Sequence, residues 1–247
     1  MTMDIRIVKA GEFGDASCRA LLECMAGYAS PVVGLATGKT PTALYETLRE
    51  AVVEGRASVA EVRPFAIDEY GGPRDHPCAN RAFFARYWDV IPGAAPVEQF
   101  NPEARGSGEL RRFRGALAAA GGLDVVVLGI GLNGHLAFNE PLTSPFVAAH
   151  VAVLAQQTLD AALPCWGKDV PQWGMTIWLA EILGSGRALL LANGTAKAAI
   201  VARALRGDVD AECPASFLRG HGALTVVLDE AAGALTLPSP VATGEGS

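Results

Sequence analysis

Val33–Ala36 (VGLA), Arg63–Ile67 (RPFAI), Leu123–Leu128 (LDVVVL), Ala188–Ala192 (ALLLA) and Leu224–Leu228 (LTVVL) are apolar runs of strand length, each breaking off at a turn or polar cluster. Their apolarity is continuous rather than alternating, which is the pattern of a strand buried on both faces. Ile5–Val8 (IRIV) alternates and reads as an edge strand. Helical patterns fall between the runs, at Ala16–Tyr28, Thr42–Val53, Ala79–Trp88, Gly108–Ala120 and Ala196–Leu205. Strands that alternate with helices imply right-handed crossovers and a parallel sheet covered on both sides. The predicted fold is therefore α/β, a Rossmann-like three-layer α/β/α sandwich with a mostly parallel sheet. No repeat or Ser/Gly linker divides the chain, so residues 1–236 are expected to form one domain. Residues 237–247 (LPSPVATGEGS) have the composition of a flexible tail.

Composition supports a large core and removes several partner classes. The chain is 50% hydrophobic and 19% charged over 247 residues, and area scaling predicts that about 70% of its surface is buried. A net charge of −6 gives no expectation of a basic nucleic-acid surface. No apolar run approaches the roughly 20 residues that span a bilayer, and the N-terminus lacks the apolar core of a secretory signal. Cys18, Cys24, Cys78, Cys165 and Cys213 are odd in number and lack CxxC spacing. They read as reduced thiols of a cytoplasmic protein. The 28 glycines and 15 prolines are high for so apolar a chain and imply many tight loops.

In a parallel sheet, ligands bind beyond the carboxyl ends of the strands. The residues just after each run are therefore the informative ones. Thr37-Gly38-Lys39-Thr40-Pro41 lies at a strand-to-helix turn. Backbone N–H groups, hydroxyls and a lysine at a helix N-terminus make a phosphate cradle; an ordinary capped helix start is the competing reading. The nucleotide loop GxxxxGK[ST] is not matched, because Val33 stands where its first glycine belongs. Asn193-Gly194-Thr195-Ala196-Lys197 has the same form. A cation in a first helical turn opposes the helix dipole, so Lys197 reads either as an anion ligand or as a solvated side chain.

Asp68 and Glu69 follow the run ending FAI. Adjacent acids at a strand end point in opposite directions, so one of them faces the site, and Asp68 is the candidate general base. Two acids on a solvated loop remain the alternative. Gly129-Ile130-Gly131-Leu132-Asn133-Gly134-His135 exits the next strand, with Glu140 beyond it. A carboxylate beside an imidazole fixes its tautomer, and histidine is suited to moving protons near neutral pH. Gly129, Gly131 and Gly134 fit GxGxxG, but no acidic ribose ligand follows at the expected distance. His76, His135, His150 and His221 show no HxH or HExxH spacing, so no metal is expected.

GLATGKTP, FAIDEYGGPRDHP, LDVVVLGIGLNGHLAFNEP, MTIWLAEIL, LANGTAK and PASFL occur in this order between Gly34 and Leu218. With them the chain resembles the glucosamine-6-phosphate deaminase/isomerase family, whose superfamily includes 6-phosphogluconolactonase. FNEP favours the amino-sugar branch, and LATG with PASFL is similar to the galactosamine-6-phosphate members. The resemblance implies conversion of glucosamine 6-phosphate or galactosamine 6-phosphate to a ketose 6-phosphate and ammonia, without a cofactor. It implies that Asp68 moves the proton between C2 and C1. His135 would open the sugar ring with Glu140 as its partner, and Asn133 would stand beside them. Thr37, Gly38, Lys39, Thr40, Gly131 and Lys197 would hold the substrate and its phosphate. The implied partner is a small sugar phosphate, and a homo-oligomer is compatible.

Two positions depart from the family pattern. Asn133 stands where many members have an acid, and an amide cannot act as a base. The stretch Gln156–Gln172 has no arginine where members commonly contact the phosphate, and Lys168 is its only cation. Lysine lacks the bidentate fork of arginine. The C-terminus is short beside the allosteric hexameric members, so that form of regulation is not expected. The alternative activities are 6-phosphogluconolactone hydrolysis, with His135 activating water, and sugar-phosphate sensing without turnover.

Overall fold

The computed structural model describes residues 2–104, 107–144 and 150–236. The chain opens with β1 (Thr2–Val8), α1 (Phe13–Met25), β2 (Val32–Leu35), α2 (Lys39–Val53), β3 (Arg63–Ala66) and β4 (Asp68–Tyr70). It continues through α3 (Asn80–Tyr87), α4 (Ser107–Ala120), β5 (Val125–Leu128), β6 (His150–Val153), α5 (Gln156–Trp166) and β7 (Trp173–Thr176). It ends with α6 (Leu179–Leu183), β8 (Arg187–Ala192), α7 (Ala198–Arg206), β9 (Ala223–Asp229) and α8 (Glu230–Gly233).

A six-stranded sheet runs in the order β1-β9-β8-β5-β2-β3, and every pairing in it is parallel. Its strands are the six read from the sequence, with β1 at an edge. Successive residues of the central strands face opposite layers. Val125 and Val127 pack with Leu21 of α1, Leu44 and Leu48 of α2 and Phe84 of α3. Val126 and Leu128 pack with Phe113 of α4, Ile182 of α6 and Val201 of α7. Burying a Val or Leu contributes roughly 1.5–3 kcal/mol, so a strand covered on both faces gains at every position. The helices supply matching stripes. In α2, Pro41, Leu44, Tyr45 and Leu48 are buried, the spacing of one helical face.

The second sheet has no counterpart in the sequence reading. It is antiparallel and runs β4-β7-β6. Its strands read DEY, HVAV and WGMT, too short and mixed to stand out by periodicity. The chain changes sheets at Ile67. The Ile67 N–H donates to Leu35 O at 3.3 Å, within the parallel sheet, and its carbonyl accepts Ile177 N–H at 2.9 Å, on the antiparallel side. Asp68 thus lies two residues beyond the end of β3 and is the first residue of β4.

The expectation of five reduced thiols is corrected. Cys78, just before α3, and Cys165, in the last turn of α5, form a disulfide across a separation of 87 residues. No local spacing signals such a bridge, because only the folded chain brings α5 over the loop before α3. Cys18, Cys24 and Cys213 are free and buried. The segment 237–247 lies outside the described residues. Among the described residues no helix is long and apolar enough to cross a membrane.

Candidate active site

The carboxyl ends of β2, β3, β5 and β8 carry the residues singled out by the sequence. At the end of β3, Asp68 is buried. Its Oδ1 accepts a hydrogen bond from Asn80 Nδ2 at 2.6 Å, and the same amide nitrogen donates to Asp68 O at 3.0 Å. Burial, with the nearby charge of Glu69, pushes the Asp68 carboxyl up to about 7 against the opposing bond from Asn80. Both protonation states are then populated near neutral pH, as a base that accepts and returns a proton requires.

Glu69 has a different role. Its Oε1 accepts N–H bonds from Tyr70 at 2.8 Å and Asn80 at 2.9 Å, and its Oε2 accepts from Arg81 at 3.0 Å. It satisfies the otherwise free donors that open α3. The two acids do face different ways: Glu69 anchors α3, and α3 presents Asn80 to Asp68.

At the end of β5 the chain folds tightly. Gly131 N–H donates to His135 O and Gly134 N–H to Gly131 O, both at 3.0 Å. A side chain on Gly131 would run into the His135 ring, so glycine lets the imidazole lie on the loop backbone. Gly134 has φ +86°, and a Cβ there would also meet Cys213 Sγ at 2.7 Å. Asn133 Oδ1 accepts His135 N–H at 3.2 Å, while Asn133 Nδ2 donates to Glu140 Oε2 at 2.8 Å. The same Glu140 oxygen lies 3.3 Å from His135 Nδ1. Glu140 Oε1 accepts from the Thr158 hydroxyl at 2.6 Å and from Ala155 N–H at 3.3 Å. Burial would push the Glu140 carboxyl up. The hydrogen bond and charge of His135 and the bonds from Thr158 and Asn133 outweigh it and hold it below the ordinary carboxylate value.

The phosphate candidates meet through contacts between strand exits. Gly38, with φ +100°, precedes α2, and Thr37, Gly38, Lys39 and Thr40 line its start. Thr40 Oγ1 donates to Asn193 Oδ1 at 2.9 Å, joining the β2 exit to the β8 exit. Asp229, at the end of β9, accepts Gly194 N–H at 2.9 Å and fixes that second loop. From it Lys197 Nζ reaches the β5 exit and donates to Ile130 O at 2.5 Å. Burial pushes the Lys197 ammonium below its ordinary value. An ammonium carries three donors, and Ile130 O accepts one of them. Lys39 and Lys168 are exposed; Lys168 lies in the turn Gly167–Asp169 past α5.

Asn80, Thr158 and Asp229 escaped the sequence reading. Asn80 had a weak signal, as a polar residue at the start of a predicted helix. Thr158 lies in Gln156–Gln172, the stretch without an arginine, and its partners are 18 and 23 residues away in sequence. Among the described residues, no group of three or more His, Cys, Asp or Glu could hold a metal ion.

Comparison with known proteins agrees with this architecture. Residues 10–226 match the family described as glucosamine-6-phosphate isomerases/6-phosphogluconolactonase. The glucosamine-6-phosphate deaminase of Marinomonas sp. (strain MWYL1) is 36% identical over 217 residues, 83% of this chain and 81% of that protein. The glucosamine-6-phosphate deaminase of Rhodopirellula baltica is 37% identical over 211 residues, 83% of this chain and 84% of that protein. The solved structure of a monomeric glucosamine-6-phosphate deaminase superposes with a TM-score of 0.90 at 30% identity, covering 94% of this chain and all (100%) of that one. The 6-phosphogluconolactonase of Leishmania guyanensis shares the fold, with a TM-score of 0.77 at 18% identity, covering 96% of this chain and 100% of that one. On these matches and on this arrangement of strand exits, the chain belongs to the glucosamine-6-phosphate isomerase/6-phosphogluconolactonase family.

Proposed function

We propose that this protein is an amino-sugar-phosphate deaminase that converts a hexosamine 6-phosphate and water to a ketose 6-phosphate and ammonia. Glucosamine 6-phosphate is the first substrate to test and galactosamine 6-phosphate the second. The observation that carries the reading is Asp68, a buried carboxylate with a pKa near 7, oriented by Asn80 at the end of β3. Lactone hydrolysis has no carbon-bound proton to move and no need of such a base.

Phosphate binds at Thr37–Thr40 and Lys197. This remote anchor orients the sugar for reaction. His135 takes the proton of the C1 hydroxyl and delivers one to the ring oxygen as the ring opens. The Asp68 carboxylate then removes the proton from C2. The electron pair forms the C1–C2 double bond, and the aldehyde oxygen gains a proton that His135 relays from the C2 ammonium of the substrate. Return of the proton from Asp68 to C1 leaves a protonated imine at C2, to which water adds before ammonia departs. Atoms and charge balance without a cofactor.

The test is a coupled ammonia assay on both hexosamine 6-phosphates, with wild type and Asp68→Asn, run beside a 6-phosphogluconolactone assay. Ammonia release by wild type, lost in the variant, with solvent deuterium at C1 of the ketose, is the expected result. Folded wild type that releases no ammonia from either sugar ends the deaminase reading. Lactone hydrolysis in its place moves the assignment to the other branch.

A further inference from the structure

Resting on that reading, we infer that Thr158 is a positioning residue that fixes the proton of His135 on Nδ1 and frees Nε2 for the sugar. Thr158 lies in the first turn of α5, the helix that closes over the antiparallel sheet. Its hydroxyl is 2.6 Å from Glu140 Oε1 and 3.2 Å from His135 Nδ1.

A hydroxyl has one proton to give and lone pairs to accept with. An ionised Glu140 is an acceptor only, so the Thr158 proton goes to Oε1. Towards His135 the Thr158 oxygen can then only accept, and Nδ1 must carry a hydrogen. That hydrogen is shared with Glu140 Oε2, 3.3 Å away. The neutral ring is left with an unprotonated Nε2, the form that can take the proton of a sugar hydroxyl.

The neighbours of Glu140 keep it ionised. Asn133 Nδ2 donates from its own loop, Ala155 N–H donates from the start of α5, and His135 faces it. From β4, Tyr70 lies within the field of Glu140, Asp68 and Glu69, and burial with those carboxylates pushes its phenol up, so it stays neutral.

The Thr158 hydroxyl is engaged with Glu140 and His135 rather than with Thr37–Thr40 or Lys197, so its loss acts on the proton step and not on anchoring. Thr158→Val keeps the volume and removes the hydroxyl; Thr158→Ser keeps the hydroxyl. Thr158→Val is expected to lower kcat about 10- to 100-fold, a share of what general acid–base catalysis supplies, with KM unchanged, and Thr158→Ser is expected to restore kcat. In the wild-type protein without substrate, ¹⁵N NMR of the imidazoles near pH 8 is expected to find His135 as the Nδ1–H tautomer. A predominant Nε2–H tautomer overturns the inference, as does wild-type kcat in a folded Thr158→Val protein. If the valine variant does not fold, the tautomer in wild type and the kcat of Thr158→Ser still decide. The NMR result needs no turnover, so it stands apart from failure of the deaminase reading, which is read from wild-type ammonia release.

Discussion

The proposed phosphate side and the proposed proton side of the site are built from different materials. The phosphate side belongs to the parallel sheet. It consists of strand exits and first helical turns, with half-exposed hydroxyls and one half-buried lysine. The proton side lies where the antiparallel sheet and α5 cover the ends of β3 and β5. Its groups are buried or half-buried and are held by side-chain hydrogen bonds reaching 7 to 23 residues along the chain. Anchoring an anion needs donors that local turns already present. Moving a proton needs carboxylates with adjusted affinity, which takes burial and partners from distant segments.

The strongest way to separate the two sides is Asp68→Asn. It should lower kcat about 10³-fold with KM nearly unchanged. A large rise in KM instead would mean that Asp68 helps to hold substrate. Lys197→Met should do the reverse. Losing a charged hydrogen bond to phosphate costs about 1.5–3 kcal/mol, so KM should rise roughly 10- to 100-fold while kcat changes little.

The pH dependence is the next discriminator. As the proposed base Asp68 must be a carboxylate, so kcat/KM should fall about tenfold per pH unit below about 7. The stability effect has the opposite sign. The folded state raises the Asp68 pKa from 3.8 to about 7, so it favours the proton more than the unfolded chain does. Stability from this group is fully present below about 4 and is lost as pH rises to 7. Asp68→Asn removes that penalty. The melting temperature of the variant should exceed that of wild type by more at pH 8 than at pH 5. Equal differences at the two pH values would show that Asp68 is not a buried charge.

The smallest effect on catalysis is expected from the disulfide. Cys165→Ser frees the last turn of α5 from the loop before α3. Closing an 87-residue loop is worth at most about 4–5 kcal/mol on the chain-entropy account, so the melting temperature should fall. Thr158, at the other end of α5, keeps its bonds to Glu140 and His135. Trp166 is also held by stacking on His76, with ring centroids 3.9 Å apart. The kcat should therefore stay near the wild-type value. A loss as large as that expected for Thr158→Val would show that the bridge, not the hydroxyl, sets the proton side.

Legibility in the sequence follows the same division. The strands of the parallel sheet were readable because burial on both faces leaves continuous apolar runs. The placement of Thr37–Thr40, Gly131 and Lys197 just beyond strands was readable because each follows an apolar run that ends at a glycine-containing turn. Helix boundaries moved by a few residues; α1 begins at Phe13 rather than Ala16. The antiparallel sheet was not readable, since strands of three or four residues leave no periodic trace. Glu69 could be set apart from Asp68, but its anchoring of α3 could not be foreseen.

What the sequence by itself determined is the set of local devices: doubly buried strands, glycine-rich exits, a helix start suited to an anion, and the order Asp68, His135, Glu140, Lys197. Only the tertiary structure decided how the acids behave and which partners they meet. It turned Glu69 to α3 and Asp68 to Asn80, brought Thr158 between Glu140 and His135, and joined Cys78 to Cys165. The physical reason is range. Backbone conformation and apolar periodicity act over a few residues, whereas a carboxylate's proton affinity depends on whatever the fold packs within a few ångströms of it.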